Sequence, residues 1–201
     1  MANSKRPNTK SRLLLAGIKE FGAYGYRGAS LRDIAKRADT NVAAVRYHYN
    51  SKEELWRAVV SHLYRQLADA ILDDDDRRSS ASTRETIRNS TRNYILFSAK
   101  NPELYRITMF EMIDGGKRLE WLARHQLRQF MERSMAWASI GQQGGVFSKE
   151  VAPLNLVYAT MGAVQTIFMM APQIERSFGV DVFEEEQVEA HVNAIMHLFG
   201  L

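Results

Sequence analysis

The chain has 201 residues, 45% of them hydrophobic and 25% charged, which suits a folded protein with a sizeable core and excludes bulk disorder. It has no cysteine, so disulfides, thiolate metal sites and thiol catalysis are excluded, in keeping with a reducing cytoplasm. The net charge of +4 is unevenly spread: residues 1–60 hold 12 Lys and Arg against 5 Asp and Glu, the footprint of a polyanion-binding front end on a mildly acidic body.

The N-terminus carries basic residues before an apolar stretch too short for a signal peptide. Leu14, Ile18 and Phe21 then recur at helical spacing and predict a first helix over about 9–23, capped by Asn8 or Thr9. Three glycines within Gly22–Gly28 end it. No strand precedes them, so they read as a turn rather than a phosphate loop. Ser30 with Asp33 three residues on opens a second, two-turn helix bearing Leu31, Ile34, Ala35 and Ala38. Asp39, Thr40 and Asn41 form a polar turn, and Val42, Val45 and Tyr49 share one face of a third helix. Asn50 and Ser51 break the pattern. Ser51 and Glu54 then make a capping box for a long fourth helix with the stripe Leu55, Val59, Leu63, Leu67 and Ile71.

That helix runs into Asp73–Asp76, where four carboxylates oppose the helix dipole and fray its end. Consecutive aspartates on a helix cannot all face one ion, so residues 73–82 read as a solvated connector rather than a metal site. Further helices are predicted at about 83–99, 102–113, 118–140, 152–177 and 185–199. Pro102 and Gly115-Gly116 bound the second of these, and Pro172 is expected to kink or end the fourth. Residues 154–171 are the most apolar stretch, but Asn155, Thr160, Gln165 and Thr166 interrupt it, so it reads as a buried helix and not as a membrane span of ~20 apolar residues. No segment reads as a strand. The expected fold is all-α with about nine helices: three over 1–50, a linking helix over 51–75, and a helical body over 76–201.

Two short helices joined by a polar turn in a basic region have the layout of a helix-turn-helix. The run SLRDIAKRADTNVAAVRYHYNSKEELWRAVV, residues 30–60, resembles the tetracycline-repressor family. Ile34-Ala35, Ala38, Tyr47-His48-Tyr49 and Ser51-Lys52-Glu53-Glu54-Leu55 fall in register with that pattern without gaps. The likeness is specific over 9–64 and by layout beyond. The chain departs from the pattern at Asp39, where the turn usually carries Gly, at Arg46, where Tyr or Asn is common, and at Asn50, where Pro or Gly is common. Asp tolerates the left-handed conformation, so the turn is expected to survive, with altered sequence preference.

The resemblance implies a transcriptional regulator, expected to be a cytoplasmic repressor, with a helix-turn-helix DNA-binding domain over 1–50 and an effector-binding and dimerisation domain over 76–201. It binds double-stranded DNA with Val42, Ala43, Ala44 and Arg46 along the major groove and Asn41 among the DNA-binding residues. Arg46 is the candidate for a base contact, with a phosphate contact as the equal alternative, and Ser30, Thr40, Tyr47 and Lys52 are candidates for phosphates. Tyr49, on the Val42/Val45 face, reads as core, and His48 as structural. A palindromic operator requires a homodimer. The resemblance places it on the last two helices, where Leu154, Tyr158, Met161, Gly162 and Phe168 on one and Val188, Val192, Ile195 and Phe199 on the other pair across a two-fold axis into a four-helix bundle; the alternative is that both stripes are internal core. The middle helices, rich in Met and aromatics, are expected to enclose a hydrophobic small-molecule effector, with Phe97, Met109, Phe110, Trp121, His125 and Gln165 as candidate contacts. No cofactor, metal or catalytic function is expected: the histidines at 62, 125, 191 and 197 have no partner at helical metal-binding spacing, and there is no nucleophile with a base. The alternative is a DNA-bound structural or partner-recruiting protein of the same fold without a ligand.

Overall fold

The computed structural model describes residues 8–71 and 82–201. Among these there are ten helices and no strand: α1 Thr9–Gly28, α2 Leu31–Arg37, α3 Val42–Tyr49, α4 Lys52–Ile71, α5 Thr83–Lys100, α6 Pro102–Asp114, α7 over 117–143, α8 Pro153–Met169, α9 Ala171–Phe178 and α10 Glu185–Leu198. Within α7 the segment Ala123–Leu127 is a π-helical turn. The all-α expectation holds, with one helix more than expected. The pattern over 152–177 is two helices because Pro172 enters the first turn of α9. Its ring cannot continue the ladder of α8. Among the described residues no single helix is long and apolar enough to cross a membrane. The α8–α9 pair that passes on composition is bent by 56°. The Asp73–Asp76 connector lies outside the described residues.

Local signals account for most helix ends. The Asn8 side chain caps α1, accepting from the Ser11 amide at 2.9 Å. Helical geometry in α1 is interrupted at Gly25, whose φ of 64° and ψ of −178° suit only glycine. A Cβ there would also lie 2.9 Å from the Phe110 ring. Ser30 caps α2, accepting from the amides of Arg32 at 3.2 Å and Asp33 at 3.4 Å. Ser51 accepts from the Glu54 amide at 3.1 Å, but the Glu54 carboxylate turns to Arg57 at 3.2 Å rather than back to the cap. The full reciprocal box is at Ser82 and Glu85, where α5 starts.

The helices group into two compact units. The first comprises the chain up to Tyr64 together with Glu103–Leu119, and the second comprises Arg65–Pro102 with Glu120–Leu201. By contacts α6 groups with the N-terminal helices. Gly22 explains part of this, since a Cβ there would stand 2.6 Å from Glu103 Cγ, so only glycine lets α1 approach α6 so closely. Lys19 seals the same seam with a 2.6 Å ion pair to Glu103, and Tyr64 meets Thr108 hydroxyl to hydroxyl at 3.2 Å. The core of this unit is Leu13, Phe21, Ile34, Val45, Leu55 and Trp56, all wholly buried.

In the second unit Ile87, Ala138, Phe147, Leu156 and Val157 form a core with Met131, Met135 and Trp137 against it. The apolar stripe of α10 packs on α5, held at its rim by a 2.7 Å pair between Arg92 and Glu189. Phe168, Val188, Val192 and Ile195, expected at a dimer face, are buried within the single chain. Apolar periodicity shows that a face is covered without showing by what.

Candidate nucleic-acid interface

Three sets of contacts hold α1, α2 and α3 together, one of them made by α3 itself. Arg12 Nε donates to the Ala38 carbonyl at 2.9 Å, at the end of α2. Tyr49 is buried and its hydroxyl donates to the Lys10 carbonyl at 2.8 Å, so it is a core aromatic, as the sequence suggests. Burial raises its phenol pKa above the ordinary value. Glu20, although buried, accepts from the Ser30 amide at 3.3 Å and faces Arg37 at 3.9 Å. A carboxylate of α1 thereby receives the amide of α2's own cap residue.

The turn between α2 and α3 closes with the Thr40 amide on the Ala35 carbonyl at 3.0 Å and the Asp39 amide on the Lys36 carbonyl at 3.1 Å. Asp39 has a φ of 50°, so the departure from glycine keeps the left-handed turn. Asn41 caps α3, accepting from the Ala44 amide at 3.0 Å. The helix ends at Asn50, with a φ of 61°.

On α3, Val45 and Tyr49 face inward while Asn41, Ala43, Arg46 and Tyr47 are exposed and Val42 and Ala44 half-buried. Tyr47 is 83% exposed, its ring edge against His48 at 5.0 Å. The small residues at 42–44 leave the helix backbone open to close approach, with the only charged side chain of the helix, Arg46, beside them. Ser30 and Thr40 lie half-buried at the two ends of α2.

The Lys52 ammonium lies 4.7 Å from the centroid of Tyr26, on the last turn of α1. Burial, and then the nearby charge of Arg118, lower its pKa. The Arg118 guanidinium stacks on the same ring at 3.9 Å. Tyr26 rests against Phe21, ring-stacked at 6.2 Å, and edge-on against Trp56 at 6.4 Å. Its own pKa is raised by burial and by Glu53. Glu20, Tyr26 and Arg118 were not legible as site residues from the sequence. The first two fall in a helix and a glycine-rich turn without distinguishing spacing, and Arg118 is far away in the chain.

Of the candidate effector contacts, Met109 and Phe110 belong to the first unit, where Phe110 covers Gly25, and Phe97, Trp121, His125 and Gln165 belong to the second. His125 is exposed, its ring stacked on Trp121 at 4.7 Å and its Nδ1 2.7 Å from the Trp121 carbonyl oxygen, so it is turned along its own helix and not into the core. Phe97 and Gln165 are buried and Trp121 half-buried. Gln165 Nε2 donates to the Tyr94 hydroxyl, and its Oε1 is buried without a hydrogen-bond partner. Of the expected dimer residues outside the core, Leu154 and Tyr158 are exposed, and Met161, Gly162 and Phe199 half-buried. Among the described residues no group of His, Cys, Asp and Glu could hold a metal ion.

A short-turned pair of helices with a basic, groove-sized outer helix, on a helical body, defines a helix-turn-helix DNA-binding protein. Residues 13–59 match the bacterial regulatory proteins of the tetR family, and residues 84–198 match the tetracyclin repressor-like C-terminal domain. The chain belongs to the tetracycline-repressor family of transcriptional regulators, which are DNA-binding proteins and not enzymes. It is 26% identical over 184 residues to the transcriptional regulator RutR of Escherichia coli strain K12, covering 88% of this chain and 81% of that one. With YttP of Bacillus subtilis it shares 27% identity over 105 residues, a match spanning about half of each chain, 52% and 51%. AibR, solved with isovaleryl coenzyme A and operator DNA, superposes with a TM-score of 0.74 at 18% identity over 96% of this chain and 98% of that one. The fatty acid degradation regulator FadR of Bacillus halodurans superposes at 0.71 and 15% identity, over 98% and 96%. Both show the same fold.

Proposed function

We propose that the protein is a repressor that binds a palindromic operator as a homodimer and leaves it on binding a small, largely apolar effector. The exposed face of α3 carries this reading: Arg46 and Tyr47 stand out beside the small residues Val42, Ala43 and Ala44, the arrangement a helix needs to lie in a major groove and spend one guanidinium on a base edge. Val42, Ala43, Ala44 and Arg46 read the groove, while Ser30, Thr40, Tyr47 and Lys52 meet the backbone.

For the dimer, exposed Leu154 and Tyr158 on α8, continued by Met161 and Gly162 and joined by Leu198 at 75% exposure on α10, support pairing through the outer faces of these helices. For the effector, Gln165 supports a ligand in the second unit, because a buried carboxamide oxygen without a protein partner is costly unless something bonds to it. That the AibR fold was solved with a coenzyme A thioester supports a helical body that accepts such a guest. Effector binding would shift the population towards dimers whose recognition helices no longer match the groove spacing. The working compartment is the cytoplasm.

Selection of bound sequences from a random duplex pool at physiological salt tests this reading. It should return a palindrome with half-sites ~34–36 Å apart or a multiple of that. A pool without a motif, bound only at low salt, would favour the structural or partner-recruiting protein instead.

A further inference from the structure

We propose that Arg118 is a positioning residue for DNA binding: stacked on Tyr26 and forked between two carboxylates, it fixes the shelf on which the Lys52 ammonium rests at the head of α4. The proposal rests on the reading of Lys52 as a phosphate contact. Arg118 stands at the start of α7, and every residue it engages here lies in the first unit. Its Nε donates to Glu111 Oε2 at 2.9 Å and its Nη2 to Asp114 Oδ2 at 2.9 Å. The other oxygen of Asp114 receives Arg27 Nη2 at 2.6 Å. Arg27 directly follows Tyr26, so one carboxylate ties the guanidinium to the end of α1 next to the ring it covers.

Two cations share the Tyr26 ring, at 3.9 Å for Arg118 and 4.7 Å for Lys52. Such sharing costs like-charge repulsion unless one of them is neutralised in place. Glu111 and Asp114 offset part of the Arg118 charge, the Glu111 side chain being only 2% exposed and little screened by solvent, and what remains still lowers the Lys52 pKa. The ring then serves as an electron-rich seat for the second cation. An arginine suits this place because its planar fork can bond two carboxylates while its face stacks, and a lysine cannot do both. Lys52 stands two residues beyond Asn50, where α3 ends. The ammonium beside the recognition helix is thus seated by α1 and by the head of α7.

The test is a double-mutant cycle read on a mixed-sequence DNA duplex over a range of salt, with thermal melting of each protein. Lys52→Met should weaken binding several-fold and reduce the slope of log affinity against log salt by about 0.9. Arg118→Met should reproduce most of that loss and the slope change, and the double variant should bind no more weakly than Lys52→Met alone. Removing the guanidinium leaves Glu111 buried and unpaired, so Arg118→Met with Glu111→Gln serves as the second variant. It should show the same DNA defect with a melting temperature nearer the parent. Independent losses that multiply in the double variant would overturn the proposal. So would an Arg118→Met protein that melts lower but keeps its affinity and salt slope, since Arg118 would then be only a structural anchor. If Lys52→Met alone leaves binding unchanged, the phosphate reading of Lys52 fails and the proposal falls with it.

Discussion

Arg46 stands exposed one residue beyond the buried Val45 and three before the buried Tyr49, so its guanidinium projects from the side of α3 that the core does not use. An arginine so placed can bond a guanine edge through two donors. Arg46→Ala should therefore cost ~1–3 kcal/mol on the selected operator and flatten base preference at one position of each half-site. Competition between operator variants measures this, and a uniform loss at every position would make Arg46 a phosphate contact instead. His191 sets a different test. Its Nε2 lies 3.1 Å from the Val164 carbonyl oxygen, its ring meets Phe168 edge-on at 5.4 Å, and burial pushes its pKa below the ordinary 6.5. The unfolded chain then binds a proton more readily than the folded one. The stability this histidine contributes is complete above the unfolded pKa and is lost as pH falls through the folded one. Between about pH 7 and pH 5 the melting temperature of the parent should fall more steeply than that of His191→Gln. Parallel curves would show that other groups govern the acid limb.

At the scale of the helix, what could be read from the sequence was what neighbours in sequence decide. Ser30, Asn41 and Ser51 accept amide bonds at the starts of α2, α3 and α4 because a short polar side chain before a helical pattern has few other uses. Pro172 divides α8 from α9 for an equally local reason. What could not be read depends on distant approach. Gly22 looks like one of three turn glycines, and only the nearness of Glu103 shows that it lets α6 join the N-terminal helices. Val188, Val192 and Ile195 announce a covered face, but whether α5 or a second chain covers it is a property of tertiary packing. Tyr26 and Arg118, 92 positions apart in the chain, meet only because α6 returns to α1. The end of α3 offers a test at this scale. Asn50 holds a φ of 61° and a ψ of −46°, which a side chain resists and glycine does not. Asn50→Gly should raise stability by ~0.5–1 kcal/mol and Asn50→Ala lower it by a similar amount, measured by chemical denaturation. A loss in both would mean that the Asn50 side chain is itself needed.

For the whole molecule, one recognition helix per chain reads only one half-site, so useful affinity for a palindrome depends on joining two copies. On the outer faces of α8 and α10, where the proposed pairing lies, the large exposed apolar side chains are Leu154 at 50% exposure, Tyr158 at 55% and Leu198 at 75%. In a two-fold interface every substitution appears twice, and a carboxylate introduced near the axis faces its own copy. Tyr158→Glu should therefore yield a monomer by sedimentation, and because Tyr158 is exposed, its melting temperature in dilute solution should stay close to that of a monomeric parent. The second half-site would then no longer be presented at the high effective concentration a dimer supplies. Affinity for the selected palindrome should fall by about 100-fold or more, while binding to an isolated half-site, which needs only one α3, should change little. A Tyr158→Glu protein that remains dimeric would move the interface off the α8 face. One that is monomeric yet binds the palindrome at full strength would show that the two copies are brought together by the DNA and not by each other.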